Sequence, residues 1–81
     1  MSYVVLRSRD ALALAMSAAG VSVRALAADT GLNRSVIGHL RSGRVLGASA
    51  ETAEAICERL GVELGAVWRL SNEDVARKLL Q

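Results

Sequence analysis

One stretch of this 81-residue chain, VSVRALAADTGLNRSVIGHLRSGR at positions 21–44, constrains the fold more than any other. Its apolar residues recur at the spacing of two short helices, with a turn at positions 30–32 between them. Gly31 lies in that turn, where a positive φ is readily adopted only by a residue without a Cβ. Asn33 can cap the second helix, because its side-chain oxygen can accept a hydrogen bond from a free N–H group. The side chains predicted to be buried between the helices are Leu26, Ala27, Leu32, Ile37 and Leu40.

The outward face of the second helix carries short or basic residues and no acid: Arg34, Ser35, Gly38 and His39. Such a face suits insertion into the major groove of DNA, and we interpret these four as base-reading residues. Arginine can bond both O6 and N7 of guanine, and Ser and His can read several base edges. Gly38 would let the backbone approach closely or leave room for a thymine methyl. The alternative is that this face is simply solvated.

A second set of residues is predicted to bind DNA phosphates: Ser22, Arg24, Asn33, Arg41 and Arg44. Ser22 and Asn33 stand at the starts of the two helices, where free N–H groups can hold a phosphate. The alternative for each arginine is an ordinary surface charge. Net charge favours the first interpretation, because residues 1–44 hold six arginines against two aspartates, a net of +4. Residues 45–81 hold four basic and six acidic groups, a net of −2, so the basic half contains the helix pair.

The same stretch resembles the helix-turn-helix of the phage repressor and Cro family, the lambda-repressor-like domains. The resemblance is carried by Leu26-Ala27, Gly31-Leu32-Asn33, Ile37, Leu40 and Ser42-Gly43-Arg44, and it extends more loosely from Asp10 to Leu70. It implies an all-α domain of five helices, with a core at about residues 8–70 of a single domain. This chain departs from the family pattern, which usually has a large aliphatic residue at Ala15 and a basic residue at Met16. We expect Val4 or Leu6 to fill the space beside Ala15.

Capping residues and periodicity set the expected bounds of the elements. Residues 1–6 form an extended arm, a short strand or the lead-in to the first helix, and residues 44–48 form a loop. Ser8 is the expected cap of the first helix, Ser22 of the second and Ser49 of the fourth. Ser71 with Asp74 resembles a capping box for a C-terminal helical extension. The expected helices are Arg9–Ala19, Val23–Asp29, Arg34–Arg41, residues 50–60, Glu63–Leu70 and Asn72–Leu80.

No residue pattern in the chain indicates catalysis, a cofactor or a metal. His39 and Cys57 are the only histidine and the only cysteine, and neither has a partner at metal-ligand spacing. Cys57 lies on the apolar stripe of the fourth helix and is expected to be a small core residue, as is Trp68 unless it lies at an interface. We find no membrane span and no signal peptide, and one cysteine fits a reducing cytoplasm, that of the host if the gene is phage-borne.

The function predicted on these grounds is sequence-specific binding of double-stranded DNA by a transcriptional regulator of Cro or repressor type from a phage or prophage. It would occlude a promoter as a homodimer on a roughly palindromic operator. Two alternatives stay open: the antitoxin of a toxin–antitoxin pair that autoregulates its operon, and a protein-interaction module that contacts host machinery.

Apolar residues available for a dimer interface are Val4, Val5 and Leu6 at one end, Val75, Leu79 and Leu80 at the other, and Leu14 and Val45-Leu46. The C-terminal end is favoured because it lies away from the basic half.

Overall fold

Five helices and three short strands follow one another along residues 3–70, the part of the chain that the computed structural model describes. The C-terminal helix expected at 72–80, with its capping box at Ser71 and Asp74, lies outside the described residues. In chain order the elements are β1 (Tyr3–Leu6), α1 (Ala11–Ala19), α2 (Val23–Thr30), α3 (Arg34–Ser42), β2 (Gly47–Ser49), α4 (Ala50–Leu60), α5 (Leu64–Val67) and β3 (Trp68–Leu70).

Side-chain caps fix the starts of three helices at the predicted residues. The Ser22 hydroxyl accepts a hydrogen bond from the Ala25 N–H at 3.1 Å, and the Asn33 side-chain oxygen accepts one from the Ser35 N–H at 2.7 Å. The Ser49 hydroxyl does the same for the Thr52 N–H at 3.2 Å. These bonds satisfy donors that a helix leaves free in its first turn. The predicted bounds of α2 and α3 are confirmed to within one residue.

The start of α1 differs from the prediction. The helix begins at Ala11, two residues later than expected, and Asp10 occupies the cap position without a side-chain capping bond. Ser8 does not cap the helix, because its hydroxyl donates to the Asp10 carboxylate at 2.8 Å. The two polar side chains thus bond to each other, and the segment from residue 7 to residue 10 crosses from β1 to α1 as irregular backbone.

The expectation of an all-α fold is wrong in one respect, because the three strands form a small antiparallel sheet in the order β2-β1-β3. Val4 pairs with Ala48 on one side and with Leu70 on the other. Of the three conformations considered for residues 1–6, the strand is therefore correct for residues 3–6. The pairing also converts the end of the expected 44–48 loop into β2.

The fifth helix is shorter than predicted because the backbone turns extended at Trp68, with φ −119° and ψ 159°. The carbonyl of Val67 accepts a hydrogen bond from the Arg7 N–H at 2.9 Å, and residues 68–70 then pair with β1. A single helical turn gains little from its own hydrogen bonds. Pairing with β1 supplies the backbone partners that the missing turns would have provided.

The core lies between the inner face of the sheet and the helices. Val4 and Leu6 alternate inward from β1 and are each 3% exposed. The largest fully buried side chains around them are Trp68, Leu12, Met16, Leu26, Ile37, Leu40 and Ile56. Ala15 packs at the edge of this core and lines an open apolar groove of about 390 Å³ with Leu14, Val62 and Ala66. Val4 and Leu6 are not among the residues that line this groove.

Within residues 3–70 no single helix has the length and apolar composition needed to cross a membrane. By those two criteria alone α1 and α2 would suffice as a pair, but the chain bends by 87° between them.

Candidate nucleic-acid interface

The helix pair α2–α3 packs against the core through the residues that its apolar spacing predicted. Leu26, Ile37 and Leu40 are fully buried, Ala27 is nearly so, and Leu32 packs half-buried against the same core. The turn between the helices has its own bonds. The Thr30 hydroxyl donates to the Leu26 carbonyl at 2.7 Å and accepts from the Leu32 N–H at 3.2 Å. The orientation of α3 relative to α2 is therefore fixed by both packing and hydrogen bonds.

The burial of Ile37 and Leu40 determines which residues of α3 face solvent. Successive residues of a helix are rotated by about 100°, so Ser35, Gly38 and His39 lie opposite the two buried side chains. Arg34 lies on the flank of this surface. In the structure Arg34 and Ser35 are exposed, whereas Gly38 and His39 are half-buried. The four predicted base-reading residues thus occupy one continuous surface of α3.

Among the described residues, Gly38 has no neighbour that would require a glycine. A Cβ placed on it would have no heavy atom within 4 Å, apart from the helix's own backbone and its chain neighbours. Glycine inside a helix costs about 1 kcal/mol relative to alanine. Packing within the described residues therefore does not explain why this helix carries a glycine at the middle of its outer surface.

Val36 is a surface residue to which the sequence pattern gave no role. It is the third residue of α3, and its side chain is 44% exposed on the flank away from Arg34. An exposed apolar side chain contributes little free energy of folding from burial, so packing does not explain a valine at this position. The available signal was its place in the N-terminal half of the helix, one residue outside the buried Ile37–Leu40 stripe.

The predicted phosphate-binding residues lie at the start of α2 and at the two ends of α3. Ser22 and Asn33 stand at the starts of α2 and α3, while Arg41 and Arg44 lie near the end of α3. These four residues and Arg24, in the first turn of α2, are all exposed. Within residues 3–70 no ion pair or side-chain hydrogen bond engages the guanidinium groups of Arg24, Arg34, Arg41 and Arg44.

The acidic residue in α2 is neutralised from another helix. Asp29 forms an ion pair with Arg59 of α4. Both side chains are partly exposed, so this pair contributes little to stability. Its effect is on the electrostatic field: as far as residues 3–70 are concerned, the surface formed by α2 and α3 carries unpaired positive charges and no unpaired carboxylate. Such a surface attracts polyanions over a distance comparable to the Debye length.

The remaining reactive side chain, Cys57, lies in the core as expected. Burial raises the pKa of its thiol, and a hydrogen-bonding contact from the Trp68 indole N–H partly opposes that rise. The contact is weak, since the indole nitrogen is fully buried without a well-formed acceptor among the described residues. A buried, protonated thiol is a poor nucleophile. Among residues 3–70 there is also no group of three or more His, Cys, Asp or Glu side chains placed to hold a metal ion.

Comparison with known proteins agrees with this geometry. The family model described as the Cro/C1-type helix-turn-helix DNA-binding domain matches residues 11–77. A search of curated proteins finds no significant match. The solved structures that are similar in fold include two regulatory proteins. One is the restriction-modification controller protein C.AhdI from Aeromonas hydrophila, at 26% identity and a TM-score of 0.64, covering 72% of this chain and 86% of that one.

The second similar structure is the clp gene regulator ClgR from C. glutamicum, at 28% identity and a TM-score of 0.54. The alignment covers 70% of this chain and 78% of that one. The matched family is one of DNA-binding domains, and both structural neighbours are named as a controller or a regulator rather than as enzymes.

Proposed function

Since this chain belongs to the Cro/C1-type helix-turn-helix family of DNA-binding domains, we propose that it regulates transcription by binding a specific duplex sequence with α3, its recognition helix. The observation that carries the proposal is the surface of α2 and α3. It combines an outer face on α3 that carries no acid with arginines that are unpaired within residues 3–70 and a carboxylate neutralised by Arg59. Bound at a promoter, the protein would block access of polymerase, and no catalysis is required.

Residue roles follow from position on the recognition helix. We assign base contacts to Ser35, Gly38 and His39, which lie opposite Ile37 and Leu40, and to Arg34 on the flank of that surface. The missing side chain of Gly38 allows α3 to sit close to the base edges. We add Val36, whose exposed methyl groups suit contact with the methyl of a thymine.

Phosphate contacts fall to the residues at the start of α2 and at the two ends of α3. Arg24, Arg41 and Arg44 supply positive charge, while Ser22 and Asn33 supply the polar starts of α2 and α3. Contacts of this kind fix the register of a protein on DNA without reading its sequence.

Arg34→Ala is expected to reduce affinity for the cognate site by a free energy of about 1–3 kcal/mol and to relax preference at one base pair. Arg44→Ala is the matched control, because it removes the same charge near the other end of α3. If Arg44 touches only phosphate, its loss should weaken all sequences alike. Binding titrations against cognate and random duplexes measure both effects. Equal losses on the two duplexes for Arg34→Ala would show that Arg34 does not read a base.

The biological setting is proposed in broader terms. A Cro-type or repressor-type regulator of a phage or prophage fits the family, and the likeness to C.AhdI equally favours a controller of its own restriction-modification operon. Action in the cytoplasm suits either setting. The arginines that have no partner in the described part of the chain disfavour a module that only contacts other proteins. Gene neighbours distinguish the settings: an integrase and a divergent promoter, restriction and modification genes, or a toxin gene.

We further propose that the protein acts as a two-fold dimer, because one recognition helix reads too few base pairs to mark a single site. Burial reduces the number of apolar residues available for the dimer interface. Val4 and Leu6 are not available, since β1 turns both into the core. Leu14 is 62% exposed beside the apolar groove between α1 and α5, and Val45 and Leu46 are about 40% exposed. Val75, Leu79 and Leu80 lie outside the described residues.

Native mass spectrometry on an operator-length duplex is expected to show two chains per duplex. Two recognition helices about 34 Å apart on one DNA face would match a palindromic site. A duplex carrying only one half-site is the control and should bind one chain, more weakly. The dimer proposal fails if one chain saturates the full site without a second binding step, and the proposed DNA binding would still stand.

A further inference from the structure

We propose that Arg9, to which the sequence pattern assigned no role, is a further phosphate-binding residue held at the C-terminal end of the recognition helix by contact with Gly43. This inference rests on the proposed function and extends its interface to the segment between β1 and α1. It is carried by three observations: the packing of Arg9 against Gly43, the exposure of the Arg9 side chain, and the hydrogen bonds of the backbone at the end of α3.

The first observation is a close approach between two backbone segments. Gly43 ends α3 with a φ of +78° and is buried. A Cβ on Gly43 would lie 2.8 Å from the Arg9 carbonyl oxygen and 3.0 Å from the Arg9 Cβ. Gly31 and Gly61 have similar φ values, yet a Cβ on either would meet no atom of the described chain within 4 Å. The contact is therefore specific to this turn, and it sets Arg9 beside the end of α3.

The second observation concerns the Arg9 side chain. It is exposed, and within residues 3–70 no ion pair or hydrogen bond engages its guanidinium group. Its neighbour Arg7 differs, because the Arg7 Nε donates a hydrogen bond to the Gly65 carbonyl in α5. The adjacent acid, Asp10, accepts a hydrogen bond from Ser8 and forms no ion pair with Arg9. Arg7 thus joins two elements of the fold, whereas Arg9 leaves its charge in solvent.

The third observation concerns the hydrogen bonds of the backbone groups at the C-terminal end of α3. The carbonyl groups at the C-terminus of a helix carry partial negative charge and repel a phosphate. Here the N–H groups of Arg44 and Val45 both donate hydrogen bonds to the His39 carbonyl, at 3.0 and 3.2 Å, so neither backbone donor is free to bind a phosphate. A phosphate at this end has to be held by side chains. Arg9 lies beside Gly43, so it adds a third arginine to Arg41 and Arg44 near this end of α3.

The test measures how affinity depends on salt for variants of Arg9. The slope of log Kobs against log [salt] falls in magnitude by about 0.9 for each phosphate that the protein no longer neutralises. We expect that change per bound chain for Arg9→Ala, on an operator-length duplex and on a random duplex alike. Arg9→Lys keeps the charge and should keep the slope. Arg69→Ala is the matched control: it removes an exposed arginine from β3, the outer strand on the far side of β1 from β2, and should leave the slope unchanged.

The outcomes separate this inference from the proposed function. An unchanged slope for Arg9→Ala, with a reduced slope for Arg44→Ala, overturns the role of Arg9 and leaves the proposed function standing. An equal reduction for Arg69→Ala also overturns it, because the effect would then reflect net charge alone. Absence of duplex binding by the unaltered protein refutes the proposed function itself. Thermal unfolding of Arg9→Ala should match that of the unaltered protein, since the guanidinium group has no partner among the described residues.

Discussion

Raising the salt concentration from 50 to 200 mM is expected to weaken operator binding by about a thousandfold or more. The expectation follows from counterion release, since each phosphate neutralised by a basic side chain frees condensed cations whose return opposes binding at higher salt. Arg24, Arg41 and Arg44 are exposed and unpaired within the described chain. Doubled in a dimer, and joined by Arg9, they give the number of phosphate-binding groups for which a decrease of this size is typical.

The measurement is a fluorescence-anisotropy titration against duplex from the protein's own upstream region, repeated over a series of salt concentrations. A scrambled duplex of the same length and composition is the control for specificity. Its affinity should be lower at every salt concentration while falling with a comparable dependence on salt. Equal affinity for the two duplexes would contradict sequence-specific recognition, and a flat salt dependence would contradict the assignment of the arginines to phosphate.

Trp68→Ala is expected to lower the free energy of unfolding by about 3–5 kcal/mol. Domains of this kind have total stabilities of about 5–15 kcal/mol, so a loss of this size is a large fraction of the whole and should clearly lower the unfolding temperature. Trp68 is the bulkiest of the fully buried side chains, at 1% exposure, and it joins β3 to the core below β1. Its removal would leave a cavity that neighbouring elements cannot fill without moving the sheet.

Chemical denaturation followed by circular dichroism measures this loss, because the variant lacks the chain's only tryptophan as a fluorophore. Arg69→Ala, the next residue on the same strand, is exposed and should unfold like the unaltered protein. Trp68→Phe should cost much less than Trp68→Ala, since it keeps most of the ring volume and loses only a poorly satisfied indole N–H. A loss below about 1 kcal/mol for Trp68→Ala would show that the side chain is not packed in the core.

The parts of the fold that could be predicted from sequence are those specified by local signals. Ser22 and Asn33 cap helices within three residues of themselves, and Gly31 supplies the left-handed residue of the turn. The buried stripe of α3 is set by the spacing of Ile37 and Leu40. Because these signals act within a few residues, they predicted α2 and α3 and the solvent-facing surface of α3 almost without error.

The sheet could not be predicted in the same way, because each strand is defined by a distant partner. β2 and β3 have three residues each, too few for an alternating pattern to stand out. Trp68 and Val67 also fit a helical spacing, and only pairing with β1 makes the backbone extended. The candidate site also combines local and distant features. The exposure of Arg34 could be predicted from its position in α3, whereas the contact of Arg9 with Gly43 joins residues 34 positions apart and could not.

The central position of β1 has a consequence for the order in which a growing chain acquires its structure. Leu6 pairs with Trp68, 62 residues later, so β1 keeps an unpaired edge until nearly all of the described domain has left the ribosome. The helix pair α2–α3 has local contacts and can form earlier. Meanwhile the apolar side chains of β1 are uncovered, and an uncovered strand edge is a site of pairing between nascent chains. Slowing synthesis before β3 has left the ribosome should therefore lower the yield of folded protein.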